Sequence, residues 1–395
     1  MEERQRYAVD SRKVQPDDIF FALSGEKVDG HHFLPAVKKA GARGAFVKKG
    51  HSYDAADLVV CQVEDPLQEL QQLAFQKLER LKPLIIAVTG SYAKTTTKET
   101  LHTYLSQFES CFKSCGNANS QIGLPLSILN EYKDEPIAIV EMGIEHPHDM
   151  EKLKKIIKPD FAVITRIAHA HVETMGSIEK VFLEKIKIIE AKKTKVLFAH
   201  YSVEPFLKLV DLNEVEVEIY GKADEELFAD ISDLAKRISK RLNYAEKRVE
   251  LTLQPLRFEK VAYPKGDAFF DCYNANPASM REFFFKFAAK YASGRKVAVF
   301  GQIAALGNLS DSIHLELILE ISDLFDPIFL FGNSCFTGYK QLKAAGKNVF
   351  FSNSLEILES QLKDHLKNGD CIFIKGSNVN RLWEIRGCLE QIFSL

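Results

Sequence analysis

The segment Gly90-Ser91-Tyr92-Ala93-Lys94-Thr95-Thr96 offers the plainest chemistry in the chain. It joins the apolar run 84–89 to a helical pattern. In such a strand–turn–helix the backbone N–H groups point inward and the helix N-terminus adds partial positive charge, so the bend cradles phosphates. Lys94 would then reach the terminal phosphates and the Thr95 hydroxyl would hold magnesium. Two positions leave the strict phosphate-loop pattern: Val88 stands at its first glycine and Ala93 at the glycine before the lysine. The competing explanation is an ordinary strand–helix connection with an exposed lysine.

Open parallel sheets bind ligands at the carboxyl ends of their strands, and two other strand ends carry suitable groups. Glu141 closes the run IAIVE, where a carboxylate could take magnesium, and His171 follows the run FAVITR after a short loop. For either residue alone a solvated strand end is the plainer explanation. Lys185 is more unusual. The helix expected over 178–191 puts Ile178, Val181, Phe182 and Ile189 on one stripe, and Lys185 falls in that stripe. A lysine there either snorkels to the surface or is a functional amine with a depressed pKa. A neutral amine can add carbon dioxide, and the resulting carbamate is an anionic oxygen ligand of the kind magnesium prefers. His169, His31 and His32 read as solvated loop histidines.

The elements that must position these groups are α/β in type. At 395 residues the chain is too long for one core. Residues 1–82 read as a small α/β unit, with strands near 19–23, 44–47 and 58–63, a helix at 34–40 and another at 66–81 that stops at Lys82-Pro83. A second unit, 83–293, alternates the apolar runs 84–89, 137–142, 161–165 and 195–199 with helices, the signature of a buried, mostly parallel sheet. Its stretch 203–265 is less legible, with two or three strand-like pieces around a basic helix at 230–245. A third unit, 294–395, repeats strand and helix through 296–300, 327–331, 348–351 and 371–375. The 28 phenylalanines are dispersed and read as core. The net charge of -2 and the lack of a basic block give no support to a nucleic-acid partner. No run of about 18 apolar residues suggests a membrane span, and the charged N-terminus is no secretory signal. The seven cysteines, odd in number and without CxxC spacing, read as buried free thiols in a reducing cytoplasm.

Over residues 10–381 the chain resembles the Mur ligases, and among them the branch that joins D-alanyl-D-alanine to UDP-N-acetylmuramoyl-tripeptide. The resemblance is carried in order by DSRKVQPDDIFFALSGEKVDGHHF, TGSYAKTTTKE, GNANSQIGLPLSIL, EMGIEHP, ITRIAHAHVETMGSIEKVFLEK, DCYNANPASM, FGQIAALGNLSDSIH and IKGSNVNR. It implies three domains: an N-terminal α/β domain for the uridine nucleotide-sugar, a central P-loop ATPase, and a Rossmann-like C-terminal domain that binds the dipeptide and closes over the site. It places Gly90, Ser91, Tyr92, Ala93, Lys94, Thr95 and Thr96 around ATP phosphates and magnesium. Asn119 would lie near the γ-phosphate and the acyl carboxylate. Glu141 and His171 would ligate magnesium, two ions of it, and Lys185 would be carbamylated. Asn274, Asn276 and Gln302 would face the adenosine, the last in place of an aspartate. Lys375, Ser377 and Arg381 would help bind substrate, and Ser11, Arg12, Asp29 and Gly30 the nucleotide-sugar. The implied enzyme is cytoplasmic, monomeric and ADP-forming.

Five positions depart from the family pattern: Ala93, Glu145, Gln302, Ala305 and Asn378. At Ala93 a positive φ would cost about 1 kcal/mol. A working ligase with weakened nucleotide affinity is the first expectation. The alternatives are a decayed homologue that binds without turnover, and a relative of the same fold that acts on another acid, against which Tyr273-Asn274-Ala275-Asn276 argues.

Overall fold

A computed structural model of the chain describes residues 5–25, 28–54, 57–168, 172–212, 214–222, 227–245, 258–291, 294–304 and 306–393. It divides into two compact units, 1–166 with 182–249 and 167–181 with 250–395. The expected α/β class holds throughout.

The first unit contains two sheets. Strands β1 (Tyr7–Ala8), β2 (Ile19–Phe21), β3 (Gly44–Lys48) and β4 (Val60–Val63) pair in parallel in that order. Their apolar face closes on Leu34 and Val37 of the helix Leu34–Lys39. The helix Pro66–Leu81 starts where Asp65 accepts from Leu67 N and Gln68 N, with Pro66 in the first turn, and stops at left-handed Lys82. Its Lys77 donates to the carbonyls of Ile128 and Leu129 at 3.0 Å, and to that of Tyr132. These are end carbonyls of the helix Gly123–Glu131, which lack partners within the helix, so the lysine holds the two helices together.

The second sheet is all parallel: β5 (Leu84–Thr89), β6 (Cys111–Lys113), β7 (Ile137–Glu141), β8 (Phe161–Ile164), β9 (Val196–His200) and β10 (Glu216–Tyr220), in the order β10-β9-β8-β5-β7-β6. The four central strands β5, β7, β8 and β9 are buried on both faces and read as apolar runs, which is why they were legible, whereas the edge strands β6 (CFK) and β10 (EVEIY) are partly exposed and were not picked out. The order reverses at β5, between β7 and β8, and this switch point is where parallel sheets open a ligand crevice. The helix Leu227–Arg241 covers one face with Leu234, Ala235 and Ile238.

The second unit holds β11 (Glu259–Tyr263), β12 (Gly266–Asp271), β13 (Lys296–Gly301), β14 (Ile328–Phe331), β15 (Val349–Ser352) and β16 (Asp370–Lys375), in the order β11-β12-β16-β13-β14-β15. Only the β11–β12 hairpin is antiparallel. This sheet corrects the expected boundary at 293/294. The hairpin pairs with β16 and belongs here, with Ala268 and Phe270 in the core on one face and Phe269 in the core on the other. Gly266 is needed at its turn, because a Cβ there would sit 2.8 Å from the Phe393 ring. Helices cover both faces, through Leu317, Ile318 and Leu342 on one and Leu358, Leu362 and Leu389 on the other.

Among the described residues no helix is long and apolar enough to cross a membrane. The cysteines are free, but not all are buried as expected: Cys61 and Cys115 are exposed.

Candidate active site

The phosphate loop leaves β5 at Gly90, whose φ of 152° carries no side chain well: a Cβ there would lie 1.9 Å from Thr165 Oγ1. That hydroxyl instead donates to Tyr92 O at 2.7 Å, and Ser91 N donates to Arg166 O at 2.7 Å, so the loop is laced to the end of β8. Val88 pairs with Glu141 and Val163 as an ordinary ladder residue. Ala93 occupies the helix N-cap with φ 65° and ψ 3°, the left-handed conformation in which a methyl costs about 1 kcal/mol. The helix Lys94–Leu105 begins at the next residue, and Lys94 Nζ donates to Gly90 O at 2.9 Å. Thr96 is buried in the first turn.

Three of the expected residues meet at the end of β7. Thr95 Oγ1 donates to Glu141 Oε2 at 2.8 Å, and Asn119 Nδ2 donates to Glu141 Oε1 at 2.7 Å. Glu141 is 1% exposed, and its backbone N–H donates to Ser114 Oγ at 3.2 Å. Asn119 packs against Gly143, where a Cβ would meet its amide at 2.7 Å. The donors on both carboxylate oxygens fix the orientation of the group.

The helix Ile178–Lys185 ends earlier than expected and continues as a 3-10 turn. Lys185 nonetheless lies in the buried stripe with Val181 and Phe182, at 1% exposure, so it does not snorkel. Burial and then the charge of Lys94 push its ammonium well below the usual range, against the opposing pull of Glu141 and Glu184. Among the described residues its ammonium has no hydrogen bond or ion pair. Lys94, Glu141 and Lys185 thus interact electrostatically around one end of the sheet. His171 and His169 lie outside the described residues, as does Ala305.

In the N-terminal sheet, Asp10 caps the turn Ser11–Lys13 and grips Arg12, with Nη2 2.8 Å from Oδ2. Those hydrogen bonds hold Asp10 down at about 2. Arg12 remains exposed and Ser11 half-buried. Asp29 caps the turn Gly30–Phe33, and Gly30 is required because a Cβ would lie 2.8 Å from the Leu23 backbone. His31 corrects the expectation of a solvated histidine: it is 1% exposed, with Nδ1 2.6 Å from Asp29 Oδ1 and Nε2 accepting from Lys48 N at 2.9 Å. His51, which the sequence did not single out, brings Nε2 to 2.7 Å from the other Asp29 oxygen. Burial works to raise the Asp29 pKa, but the bonds from His31 and His51 outweigh it and hold the carboxyl well below its usual range. The ligand atoms of Asp29, His31 and His51 lie within 4.8 Å of one another. They do not suit a metal, because the bond from Lys48 N puts the proton of His31 on Nδ1, the atom that would have to coordinate.

In the second unit Lys375 is 1% exposed, ion-paired with Asp271 and 3.1 Å from Asn274 O. As it stands it braces the chain from β12 and presents no outward charge. Asn276 forms a capping box with Ser279. Gln302 O accepts from Asn380 Nδ2 at 2.7 Å, while its side chain occupies the space a Cβ on Gly332 would need. Ser377 Oγ accepts from Ala304 N at 2.8 Å. His314 Nε2 accepts from Ile303 N at 2.8 Å, and burial lowers its pKa, so a neutral ring anchors the loop after β13. Arg381, left-handed at φ 53°, is exposed and bonded to Glu384.

Comparison with known proteins agrees with this fold. Three domain models of one family match: the Mur ligase family catalytic domain at 6–77, the Mur ligase middle domain at 88–260, and the Mur ligase glutamate ligase domain at 256–378. The UDP-N-acetylmuramoyl-tripeptide–D-alanyl-D-alanine ligase of Bacillus subtilis is 29% identical over 418 residues, covering 96% of this chain and 91% of that protein. The ligase of the same name from Borreliella burgdorferi is 28% identical, covering 96% and 92%. The crystal structure of MurF ligase from Thermotoga maritima in complex with ADP superposes with a TM-score of 0.84 at 25% identity, covering 100% of this chain and 99% of that one. From its sequence, its three sheets and these matches, the chain belongs to the Mur ligase family.

Proposed function

We propose that this chain is an ATP-dependent, ADP-forming ligase that joins D-alanyl-D-alanine to UDP-N-acetylmuramoyl-tripeptide in peptidoglycan precursor synthesis. The observation that carries the reading is the convergence of Thr95 and Asn119 on buried Glu141, beside the helix that opens at Lys94. The substrates come from the names of its relatives, which this chain matches over nearly their whole length.

A carboxylate does not acylate an amine at neutral pH, so it must first be activated. A carboxylate oxygen of the precursor attacks the γ-phosphorus of ATP, the bond to the bridging oxygen breaks, and ADP leaves. The dipeptide amine then attacks the carbonyl carbon of the acyl phosphate, the C–O bond to phosphate breaks, and the amine proton passes to solvent. Lys94, which donates to Gly90 O, would turn its ammonium to the transferring phosphoryl group, where charge spreads in the transition state. The loop amides and helix N-terminus would hold the phosphates. Asn119 would orient the carboxylate next to them.

The Thr95 hydroxyl and the Glu141 carboxylate are hard oxygen donors 2.8 Å apart, a pair that fits Mg2+. Bound there, Mg2+ would offset the repulsion between the phosphates and the attacking carboxylate. His171 and a second ion are proposed on the family resemblance. We extend the reading to a carbamate on Lys185, supported by its burial and depressed pKa: the neutral amine adds to carbon dioxide, a C–N bond forms, and one proton is released. On the same resemblance, Ser11, Arg12, Asp29 and Gly30 would bind the nucleotide-sugar, Asn274, Asn276 and Gln302 the adenosine, and Lys375, Ser377 and Arg381 the remaining substrate. The N-terminal sheet would serve the precursor, the middle sheet ATP, and the third sheet the dipeptide, in a cytoplasmic monomer.

A working ligase is favoured over a decayed one because the substitutions at Ala93, Glu145, Gln302 and Asn378 leave the Thr95–Asn119–Glu141 set whole. The test is phosphate release from ATP by the purified chain. Release is expected only when UDP-N-acetylmuramoyl-tripeptide and D-alanyl-D-alanine are both present. Release that ignores the dipeptide would sink the reading.

A further inference from the structure

Lys98 lies one turn beyond Lys94 in the same helix and has no exposed side-chain surface. Its Nζ donates to Ser114 O and Gly116 O, both at 2.6 Å, and lies 3.2 Å from Glu99 Oε1. Two carbonyl oxygens receive its N–H groups, and the Glu99 carboxylate stands beside the charge as an ion pair. Without such partners, burying the charge would cost several kcal/mol, so an apolar residue would be the simpler way to fill this space. The arrangement points to a specific task for the bonds themselves.

That task is visible in what the two carbonyls belong to. Strand β6 lies at the edge of the sheet and ends at Lys113. The chain then turns through Gly116, at φ 47°, with Ala118 N bonded to Cys115 O at 2.8 Å, and arrives at Asn119. Ser114 also receives the N–H of Glu141 on its hydroxyl. Lys98 therefore ties the helix that presents Lys94 and Thr95 to the turn that presents Asn119.

Resting on the ligase reading above, we propose that Lys98 is a positioning residue for the chemical step: through the carbonyls of Ser114 and Gly116 it sets Asn119 against Glu141 in register with Lys94 and Thr95. Because it acts through Asn119, its removal should matter only while Asn119 is present.

The experiment is a double-mutant cycle in the full chain with Lys98→Met, Asn119→Ala and the pair. Lys98→Met is expected to lower kcat by about 10–100-fold, the usual effect of losing a residue that orients a catalytic group, with KM values within about threefold. Added to Asn119→Ala it should lower kcat less than about twofold. Equal losses in both backgrounds, or an unchanged kcat, would overturn the proposal. Lys98→Arg, which keeps the charge but cannot place it on the same two carbonyls, enters the same cycle if the methionine variant does not fold. A second readout needs no turnover: in 15N-asparagine-labelled protein, the side-chain amide signal absent from Asn119→Ala should move in the Lys98 variant. An unmoved signal overturns the proposal even if the enzyme is active. If the wild-type chain releases no phosphate, the ligase reading falls and the amide signal alone decides whether Lys98 sets Asn119.

Discussion

The Thr95 hydroxyl and the Glu141 carboxylate meet at 2.8 Å, although 46 residues separate them in sequence. Strand β5 delivers one and strand β7 the other, and parallel pairing of Val88 with Glu141 fixes how far each strand reaches. The pair is a preformed oxygen site at the sheet's switch point.

Glu141→Gln keeps the shape and removes the anion. If that charge faces Mg2+ as proposed, kcat is expected to fall by about 100–1,000-fold, several kcal/mol of transition-state stabilisation. Raised Mg2+ concentration should restore part of the loss. Steady-state phosphate release against Mg2+ checks this, and a variant with full activity at the wild-type Mg2+ requirement would show that Glu141 does not serve the metal.

Ala93 tests backbone strain. At φ 65° a glycine relieves about 1 kcal/mol, so Ala93→Gly should raise the melting midpoint by about 1–2 °C. Ala93→Val, branched at Cβ, should lower it. Scanning calorimetry of the three proteins reads both directions, and a glycine variant that melts no higher than wild type would mean that the loop carries no strain.

Lys185 makes stability depend on pH in a definite sense. Its pKa is lowered on folding, so between the folded value and the usual lysine range the unfolded chain binds a proton that the folded chain does not. Stability contributed by this group therefore rises with pH across that window. Lys185→Met removes the effect: in carbon dioxide-free buffer it should stabilise the protein at pH 7, with an advantage that shrinks toward pH 10. Urea unfolding at the two pH values measures the difference, and an advantage that grows with pH would contradict a depressed pKa. The same variant should be inactive if a carbamate at this position holds Mg2+. The carbamate itself would be seen as a new carbonyl signal after exposure to 13C-bicarbonate, present in wild type and missing in the variant.

How much could be read in advance depended on how local the cause was. The place of Lys185 on the apolar stripe was legible because a helical period needs only its own neighbours, but whether its amine snorkels was not, since that depends on what packs over the helix. Gly90 and Lys94 were legible because a strand, a turn and a helix start are consecutive. The β11–β12 hairpin was misassigned because what claims it is β16, over 100 residues later, where Phe270 faces Ile374. The buried state of His31 escaped notice for the same reason: Asp29 is local, but Lys48 N and His51, which shares the Asp29 carboxylate, arrive from the far end of β3 and the turn beyond it. The sequence did not single out Lys98, since the two carbonyls that absorb its charge belong to the turn after β6.

Asp230 carries the last prediction. It stands in the helix Leu227–Arg241 and binds the ends of three strands: the guanidinium of Arg166 after β8, Nε2 of His200 at the end of β9 at 2.9 Å, and the N–H of Lys222 after β10 at 3.2 Å. Arg166 in turn lies over the Tyr92 ring, 5.5 Å from its centroid, and takes the N–H of Ser91 on its carbonyl. The carboxylate is 1% exposed, and its removal would take one buried partner from the guanidinium, the imidazole and the N–H at once. Breaking a buried pair from one side costs about 3–5 kcal/mol, and Asp230→Ala should destabilise the chain by that order. Asp230→Asn, which can still accept from one partner, should cost less. Since Arg166 braces the phosphate loop, the alanine variant should also bind Mg-ADP more weakly at a temperature where it remains folded. Chemical denaturation and calorimetric titration measure the two effects, and an Asp230→Ala protein as stable as wild type would show that the pair contributes nothing to holding the strand ends together.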